Sequence, residues 1–199
     1  MIPIVEIKET ARAFGVPPST IERDYAKNWL LAHLSALPMA LKGGTGIRKV
    51  FIDLTTMSNE SVLLPVEKRL IYHPYSDRLT AGVTSYCLEE IMAEKIRSLF
   101  QRIRPRDIYD IRHLADRVNP DVVRGILHRK CACKGVVPDN FLLAGKRERF
   151  SASWNASLRH QMKAVPDFEE AFERALDCVE LYTQRPGEVP QGRCDDRSA

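Results

Sequence analysis

The stretch Leu41-Lys42-Gly43-Gly44-Thr45-Gly46-Ile47-Arg48 predicts a tight turn that joins an apolar segment to the start of a helix. Glycine adopts backbone conformations that other residues avoid, so a glycine-rich turn can direct several N–H groups at one point. Turns that open a helix in this way bind anions such as a triphosphate. We therefore predict a nucleotide-phosphate site at Gly43, Gly44, Thr45 and Arg48.

Nucleotide transfer also requires carboxylates that hold magnesium against the phosphates. The segment Phe51-Ile52-Asp53-Leu54-Thr55 is apolar and β-branched, which predicts a strand. It contains one acid, Asp53, and no carboxylate follows two positions later. The sequence thus predicts a metal ligand at Asp53 within an acidic set that is incomplete.

The composition is typical of a globular protein. The 199 residues carry a formal net charge of +4, which permits an anionic partner without requiring one. No apolar run approaches the roughly 20 residues that cross a bilayer, and the first residues lack the pattern of a secretion signal. We therefore predict a cytoplasmic protein without membrane association. The five cysteines lack zinc-site spacing and are expected to be reduced thiols.

Apolar periodicity predicts helices and β-branched segments predict strands, which together indicate an α+β fold. The second helix is predicted to begin at a capping box, Ser19-Thr20-Ile21-Glu22. The other predicted elements are helices at 4–14, 88–102 and 108–118, a second strand at either 62–64 or 69–72, and a loop at 73–77.

A lysine lies in the middle of the apolar face of the helix that starts at Leu88. Lys95 occupies a position where the pattern requires an apolar residue. A buried ammonium is costly unless it pairs with an acid or meets an anionic ligand, so Lys95 is a candidate functional residue. The alternative is a lysine at the edge of the apolar stripe whose ammonium extends into solvent. The other members of this face are Ile91, Met92, Ile96, Leu99 and Phe100.

The turn after this helix places basic residues next to two carboxylates. From Lys95 to Arg106 the chain has five basic residues and no acid. Pro105 ends the helix, and the next helix carries Asp107 and Asp110 on one face, where arginines can hold them. We predict a functional cluster of Lys95 and Asp110 supported by Arg106 and Asp107. The alternative is that Asp107 is a helix N-cap or a first-turn acid and that the arginines form a solvated face.

A second basic segment extends from Arg124 to Arg149, where seven lysines and arginines outnumber Asp139 and Glu148. Next to a phosphate site, this segment would suit a nucleic-acid backbone. The alternative is an ordinary exposed helix face. Few aromatic residues lie among the charges, so recognition by base stacking is not predicted.

Several segments, in a fixed order, make the chain resemble a known family. They are Ile21-Glu22-Arg23-Asp24-Tyr25 with 29–31, Leu41-Lys42-Gly43-Gly44-Thr45 with 48–50, His73-Pro74-Tyr75-Ser76-Asp77, Leu88-Glu89-Glu90-Ile91 with Ala93-Glu94-Lys95, and Arg104-Pro105-Arg106-Asp107-Ile108-Tyr109-Asp110. On these segments the chain resembles the nucleotidyltransferase toxins of the AbiEii/AbiGii family, which includes the MenT-like toxins of bacterial toxin–antitoxin systems.

The resemblance implies a reduced polymerase-β-like nucleotidyltransferase core, a small mixed sheet with helices, followed by an α-helical C-terminal part. It implies a reaction that uses magnesium and a nucleoside triphosphate (NTP), with tRNA or another RNA as acceptor and a cognate antitoxin as partner. It also implies that Gly44 and Thr45 contact the triphosphate, that Lys95 contacts the nucleotide phosphates, and that Asp110 is an essential acid. The predicted units are the core at 1–118, the helical part at 119–182 and a polar, disordered tail at 183–199.

The chain departs from the family pattern where the metal ligands are expected. After the glycine turn and its helix, family members carry a strand whose two aspartates bind the metals. Here the segment 51–55 follows almost directly. Either this segment corresponds to a later family strand and the metal-binding strand is lost, or Thr55 replaces the second acid of a degenerate strand. Both alignments lack at least one metal ligand, which predicts impaired catalysis.

Three functions remain open at this point. The first is a nucleotidyltransferase toxin with impaired activity. The second is a catalytically inactive remnant that binds nucleotide, RNA or a cognate antitoxin. The third, a helical DNA-binding module, would need a recognition helix that the sequence does not show.

Overall fold

The computed structural model describes residues 1–37, 40, 61–159 and 162–183. Within these ranges the chain forms eight helices and one two-stranded sheet. The predicted glycine turn and the predicted strand at 51–55 lie outside the described residues. The helices are α1 (Ile4–Phe14), α2 (Pro18–Leu34), α3 (Leu88–Gln101), α4 (Pro105–Leu114), α5 (Pro120–Ala132), α6 (Asn140–Ala144), α7 (Arg147–Leu158) and α8 (Phe168–Thr183), and the strands are β1 (Glu67–Leu70) and β2 (Gly82–Ser85).

The helices α1 and α2 pack on each other beside a small apolar cluster. α1 ends at Gly15, whose φ of 63° suits glycine, and a Cβ atom there would lie 2.6 Å from the side chain of Lys163. α2 starts at Pro18, and no side chain caps its first turn. The predicted capping box at 19–22 is therefore wrong, because the helix begins one residue before it. The cluster contains Ile2, Ile7, Ala11, Ile21 and Tyr75.

The strands β1 and β2 are antiparallel, with Glu67 opposite Ser85. The strand predicted at 69–72 overlaps β1, whereas the alternative at 62–64 contains no strand. The sequence does not indicate β2, since four residues with one large apolar side chain, Val83, produce little periodic signal.

The helix α3 is the most deeply buried element of the described structure. Every residue from Glu90 to Leu99 is buried, because both α4 and α5 pack against this helix. The helix predicted at 88–102 is confirmed. Lys146 reaches its C-terminal end and donates hydrogen bonds of 2.8 Å to the carbonyl oxygens of Leu99 and Phe100. These bonds satisfy acceptors that the end of a helix leaves without a partner.

One apolar core joins α3 and α4 to the C-terminal helices. Phe150 and Trp154 of α7 and Phe172 of α8 are among its largest buried side chains. The Phe172 ring lies 6.1 Å from the Phe150 ring, measured between centroids. The core thus contains residues from both sides of residue 118, and the predicted domain boundary there stays a prediction.

The fold is α+β, as predicted. A small antiparallel sheet accompanies the helices in the described part of the chain. This content is consistent with the reduced nucleotidyltransferase-like fold that the resemblance implies. None of the helices in the described ranges has both the length and the apolar character needed to cross a bilayer.

Candidate functional site

The turn between α3 and α4 brings Lys95 against two aspartates. Pro105 is the first residue of α4, so Asp107 lies in the first turn and Asp110 one turn later on the same face. The Nζ atom of Lys95 is 2.7 Å from Oδ1 of Asp107 and 2.6 Å from Oδ2 of Asp110. The structure therefore brings together three of the four residues that the sequence analysis places in one cluster, and these three are hereafter the lysine–aspartate cluster.

Lys95 is buried, with 9% of its surface exposed. The alternative in which its ammonium extends into solvent is therefore wrong. Burial by itself lowers the pKa of Lys95, but the charges and hydrogen bonds of Asp110 and Asp107 outweigh this effect and raise the pKa above its ordinary value. The ammonium consequently stays protonated at neutral pH.

The two aspartates of the cluster have different surroundings. Burial raises the pKa of Asp110, the ammonium of Lys95 opposes this effect, and the charge of Asp107 adds to it. Asp107 is 2% exposed and also accepts a 3.0 Å hydrogen bond at Oδ2 from Nε of Arg102. The N-cap of α4 is Arg104, so Asp107 is not the helix cap, but it is an acid of the first turn, as the alternative also allowed.

Arg106 lies at the start of α4, within range of the charge of Asp110. Burial lowers the pKa of its guanidinium, Asp110 opposes the shift, and the positive charges of Arg104 and Arg23 add to it. Arg106 is half-buried, whereas Arg104 is exposed. The positive charge of Arg106 therefore acts on Asp110 of the lysine–aspartate cluster, and the supporting role of Arg106 stays a prediction.

Two cations of α2, Arg23 and Lys27, carry charges that act on each other. Arg23 and Lys27 are four residues apart and share a helix face. Burial lowers the pKa of Lys27, Asp24 opposes the shift, and the charges of Arg23 and Arg106 add to it. The sequence analysis assigns no role to either residue. Their i, i+4 spacing on a predicted helix is the pattern that could have indicated a shared positive face.

The loop at 73–77, hereafter the clamp loop, is attached to α2 by hydrogen bonds. The hydroxyl of Tyr75 donates a 2.7 Å hydrogen bond to Oδ2 of Asp24. The hydroxyl of Tyr25 donates a 2.6 Å hydrogen bond to Oδ2 of Asp77. These bonds join residues more than 50 positions apart, so they fix the rotation of α2 against the loop.

Glu90 of α3 anchors the chain just before β1. Its carboxylate accepts hydrogen bonds of 3.0 Å from the backbone N–H groups of Leu63 and Leu64. Lys130 of α5 forms ion pairs with Glu90 and with Glu94, so the buried acids have a counter-charge. The segment that follows the predicted nucleotide-binding residues is thereby attached to the helix that carries Lys95.

The basic segment from Arg124 to Arg149 is not a continuous cationic surface. Lys130 is buried between two acids, as described above. Arg147 forms ion pairs with Glu169 and Glu173 of α8. Such partners reduce the charge that a nucleic acid could bind, so an internally paired helix face describes this segment better than a nucleic-acid surface does.

The described residues do not fit a magnesium site. Mg²⁺ prefers oxygen ligands in octahedral geometry at about 2.0–2.1 Å. In the lysine–aspartate cluster, the ammonium already lies between the two carboxylates. Within the described ranges, no group of three or more His, Cys, Asp or Glu side chains could hold a metal ion. The predicted ligand Asp53 lies outside the described residues, as do Gly43, Gly44, Thr45 and Arg48.

The family follows from comparison with known proteins. Residues 52–178 match the family described as nucleotidyl transferase AbiEii toxin, Type IV TA system. The matched part starts after the predicted glycine turn and contains the whole lysine–aspartate cluster. Neither the curated proteins nor the solved structures include a significant match to the chain. The match covers more than half of the sequence and confirms the resemblance, so the chain belongs to the AbiEii nucleotidyl transferase toxin family.

Proposed function

We propose that the protein is a toxin that transfers nucleotides from an NTP to tRNA, with impaired activity. The observation that carries this proposal is the buried cluster of Lys95, Asp107 and Asp110 in a member of this family. A buried ion cluster is weak evidence for stability, because desolvation of the charges offsets their attraction. Its place beside Arg106 favours a functional reason for its presence.

Each residue of the cluster has a separate task in this proposal. The ammonium of Lys95 has three N–H donors and directs two of them at Asp107 and Asp110, which leaves one for a phosphate oxygen. Arg106 supplies a second positive charge on this side. Asp107 positions Lys95 and is itself held by Arg102. Asp110 accepts the proton of the attacking hydroxyl, because burial raises its pKa above that of an ordinary carboxylate.

The triphosphate and the metal are assigned to residues outside the described ranges. From the sequence, the triphosphate belongs to Gly43, Gly44, Thr45 and Arg48, and magnesium to Asp53. When bound, magnesium neutralises the charge of the reacting phosphates. Asp53 has no second acid two positions later, and the described residues supply no further set of metal ligands. This deficit is the reason for proposing impaired activity.

The second candidate function is that of a catalytically inactive relative that binds nucleotide, RNA or a cognate antitoxin. The same geometry favours it, since the ammonium of Lys95 is already paired with both aspartates of the cluster. A cognate antitoxin is the partner that a toxin–antitoxin family implies. Under either candidate function, we expect the protein to act in the cytoplasm.

A transfer assay separates the two candidates. The full-length protein is incubated with magnesium, each labelled NTP in turn and total tRNA, and the label in the tRNA is measured. The enzyme proposal expects transfer by the unmodified chain and its loss in Lys95→Met and in Asp110→Asn. Lys68→Met is the matched control, because Lys68 is exposed on β1.

The controls of this assay distinguish a loss of folding from a loss of catalysis. Lys95→Met leaves Asp110 without its ammonium and leaves Asp107 with Arg102 alone, so the thermal unfolding of every variant is measured. Asp110→Asn keeps the pair between Lys95 and Asp107 and is the decisive variant. Absence of transfer with every NTP, while NTP binding persists, contradicts the enzyme proposal and supports a binding protein. Full transfer by both variants contradicts the role of the cluster.

A further inference from the structure

We infer that Arg102 binds a phosphate group of the NTP together with Lys95. The guanidinium of Arg102 and the ammonium of Lys95, hereafter the phosphate subsite, are held next to each other by the buried carboxylate of Asp107. The inference rests on the proposed function, because it adds a nucleotide-binding residue to the site of that reaction. The proposed function uses Arg102 only to hold Asp107, so direct contact with the substrate is a further role.

The carboxylate of Asp107 brings the two cationic groups together. Its Oδ1 atom is 2.7 Å from Nζ of Lys95 and 3.5 Å from Nη2 of Arg102. Its Oδ2 atom accepts a hydrogen bond of 3.0 Å from Nε of Arg102. Since both cations contact the same oxygen atom, the ammonium and the guanidinium are neighbours.

The local structure fixes the orientation of the guanidinium. Arg102 is the C-cap of α3 and has extended backbone angles, and Asp107 lies in the first turn of α4. Asp107 is 2% exposed, and close packing restricts the movement of a side chain that is buried to this extent. A planar guanidinium that makes two contacts with such a carboxylate is held in a defined plane. Arg102 is therefore oriented before any ligand binds.

Arg102 retains hydrogen-bond donors for a ligand. A guanidinium has five N–H donors, and the contacts with Asp107 use one on Nε and one on Nη2. Within the ranges that the structure describes, the remaining donors have no acceptor. Lys95 adds the one N–H that its two aspartates leave over. Neighbouring donors of an arginine and a lysine suit the oxygen atoms of a single phosphate group.

The lysine–aspartate cluster opens to solvent at Arg102. The exposed fraction of the side chain is 39% for Arg102, against 11% for Lys95 and 14% for Asp110. An anion that approaches from solvent therefore meets the guanidinium before it meets the acids. In addition, α4 begins three residues after Arg102, and no side chain caps its first turn. The positive end of the α4 dipole thus adds to the attraction for a phosphate.

Arg69 of β1 forms a pair of similar geometry without a buried partner. Its Nε and Nη2 atoms are 3.2 Å and 2.7 Å from Oε2 of Glu67, and 32% of its side chain is exposed. Glu67 is itself 50% exposed, and in the described part of the chain Arg69 is its one cationic partner. Exposed pairs of this kind contribute little to stability. Arg69→Gln is therefore the matched control for Arg102→Gln.

NTP binding in the absence of tRNA tests the phosphate subsite. Calorimetry with magnesium measures the affinity of the full chain for each NTP, for the matching nucleoside and for inorganic tripolyphosphate. We expect Arg102→Gln to weaken the binding of NTP and of tripolyphosphate by roughly tenfold or more, because it removes hydrogen bonds between charged groups. The affinity for the nucleoside is expected to stay unchanged, and Arg69→Gln is expected to bind all three probes normally.

A conservative variant keeps the test valid if Arg102→Gln does not fold, which thermal unfolding shows. Arg102→Lys retains a cation beside Asp107 but lacks the planar fork, so its NTP affinity is expected to fall about threefold. Unchanged NTP affinity in the folded Arg102→Gln variant, or in Arg102→Lys where Arg102→Gln does not fold, overturns the inference. Equal losses for NTP and nucleoside also overturn it, because Arg102 then only supports the fold.

Two further results separate the phosphate subsite from other roles. If Arg102→Gln weakens the binding of labelled tRNA and leaves NTP affinity intact, the phosphate belongs to the RNA and the inference is wrong. If the unmodified chain transfers no nucleotide to tRNA while Arg102→Gln weakens NTP binding, the proposed function fails and the phosphate subsite stands. Transfer by the unmodified chain with normal NTP binding in Arg102→Gln gives the opposite outcome. An unmodified chain that binds neither NTP nor tripolyphosphate overturns the inference outright.

Discussion

Lys95 occupies an apolar position of α3 and holds two carboxylates of α4. Its replacement by Met keeps a similar stem but removes the charge, which leaves Asp107 and Asp110 buried without their ammonium. We expect Lys95→Met to lower the free energy of unfolding by about 3–5 kcal/mol, measured by urea denaturation at neutral pH. Adding Asp110→Asn is expected to restore part of this loss, because one uncompensated charge is removed.

The pH dependence of Lys95→Met identifies the cause of its loss of stability. In the folded chain, burial raises the pKa of Asp110 above its ordinary value of 3.8, and loss of the opposing ammonium raises it further. Below this raised pKa the folded state binds a proton that the unfolded state has released, so stability increases as the pH falls. The difference in free energy of unfolding between Lys95→Met and the unmodified chain is therefore expected to become smaller as the pH falls. If this difference does not change with pH, the variant has lost packing and the charge of Asp110 is not the cause.

The sequence predicts the position of Lys95 better than it predicts its partners. A lysine inside an apolar row stands out at any point along a helix, and the burial of Lys95 confirms the inference from that pattern. Lys95 and Asp107 are 12 residues apart in the sequence, and they come into contact because the chain turns at Pro105. Arg23 lies more than 80 positions before Arg106, and no local pattern relates residues at that distance.

At the scale of elements, the clamp loop and α2 are joined by hydroxyl groups that donate to carboxylates. Tyr75→Phe removes the donor to Asp24 and keeps the edge-to-face contact with the ring of Tyr25, at a centroid distance of 5.3 Å. Hydrogen bonds to charged groups contribute about 1.5–3 kcal/mol, and a loss of this size is expected in urea denaturation.

A second tyrosine variant serves as the control for this prediction. Tyr109→Phe removes a hydroxyl from α4 and keeps the contact of its ring with His113, at a centroid distance of 4.3 Å. Its stability is expected to stay within about 0.5 kcal/mol of the unmodified chain. Equal destabilisation by both variants would contradict a specific role of the clamp loop.

The sequence predicts an element well when its periodic pattern of apolar residues extends over several turns. The helix at 88–102 is confirmed because its apolar row extends over several turns. The capping box at 19–22 fails for a local reason, since Pro18 already has the backbone angle of a first helical residue and needs no N–H partner. The short strand β2 forms because it pairs with β1, and this pairing is a tertiary contact.

At the scale of the whole molecule, one core connects the parts on either side of residue 118. Phe172 of α8 is fully buried in this core. Buried thiols report whether the core unfolds as one unit, because only the exposed thiolate reacts with alkylating reagents. Burial raises the pKa of Cys178 to about 11, and it also raises the pKa of Cys87, which lies before residue 118.

Phe172→Ala is expected to accelerate the labelling of Cys87 and Cys178 by the same factor. Loss of a buried phenyl ring costs about 3–5 kcal/mol, which corresponds to roughly a hundredfold or more in the population of the unfolded state. Alkylation at each site is followed by mass spectrometry of peptides, with the exposed Cys133 as a thiol that reacts quickly in both proteins. If Cys178 accelerates and Cys87 does not, the two parts unfold separately and the predicted boundary at 118 divides them. Equal acceleration instead means that the lysine–aspartate cluster and the C-terminal helices belong to one cooperative unit.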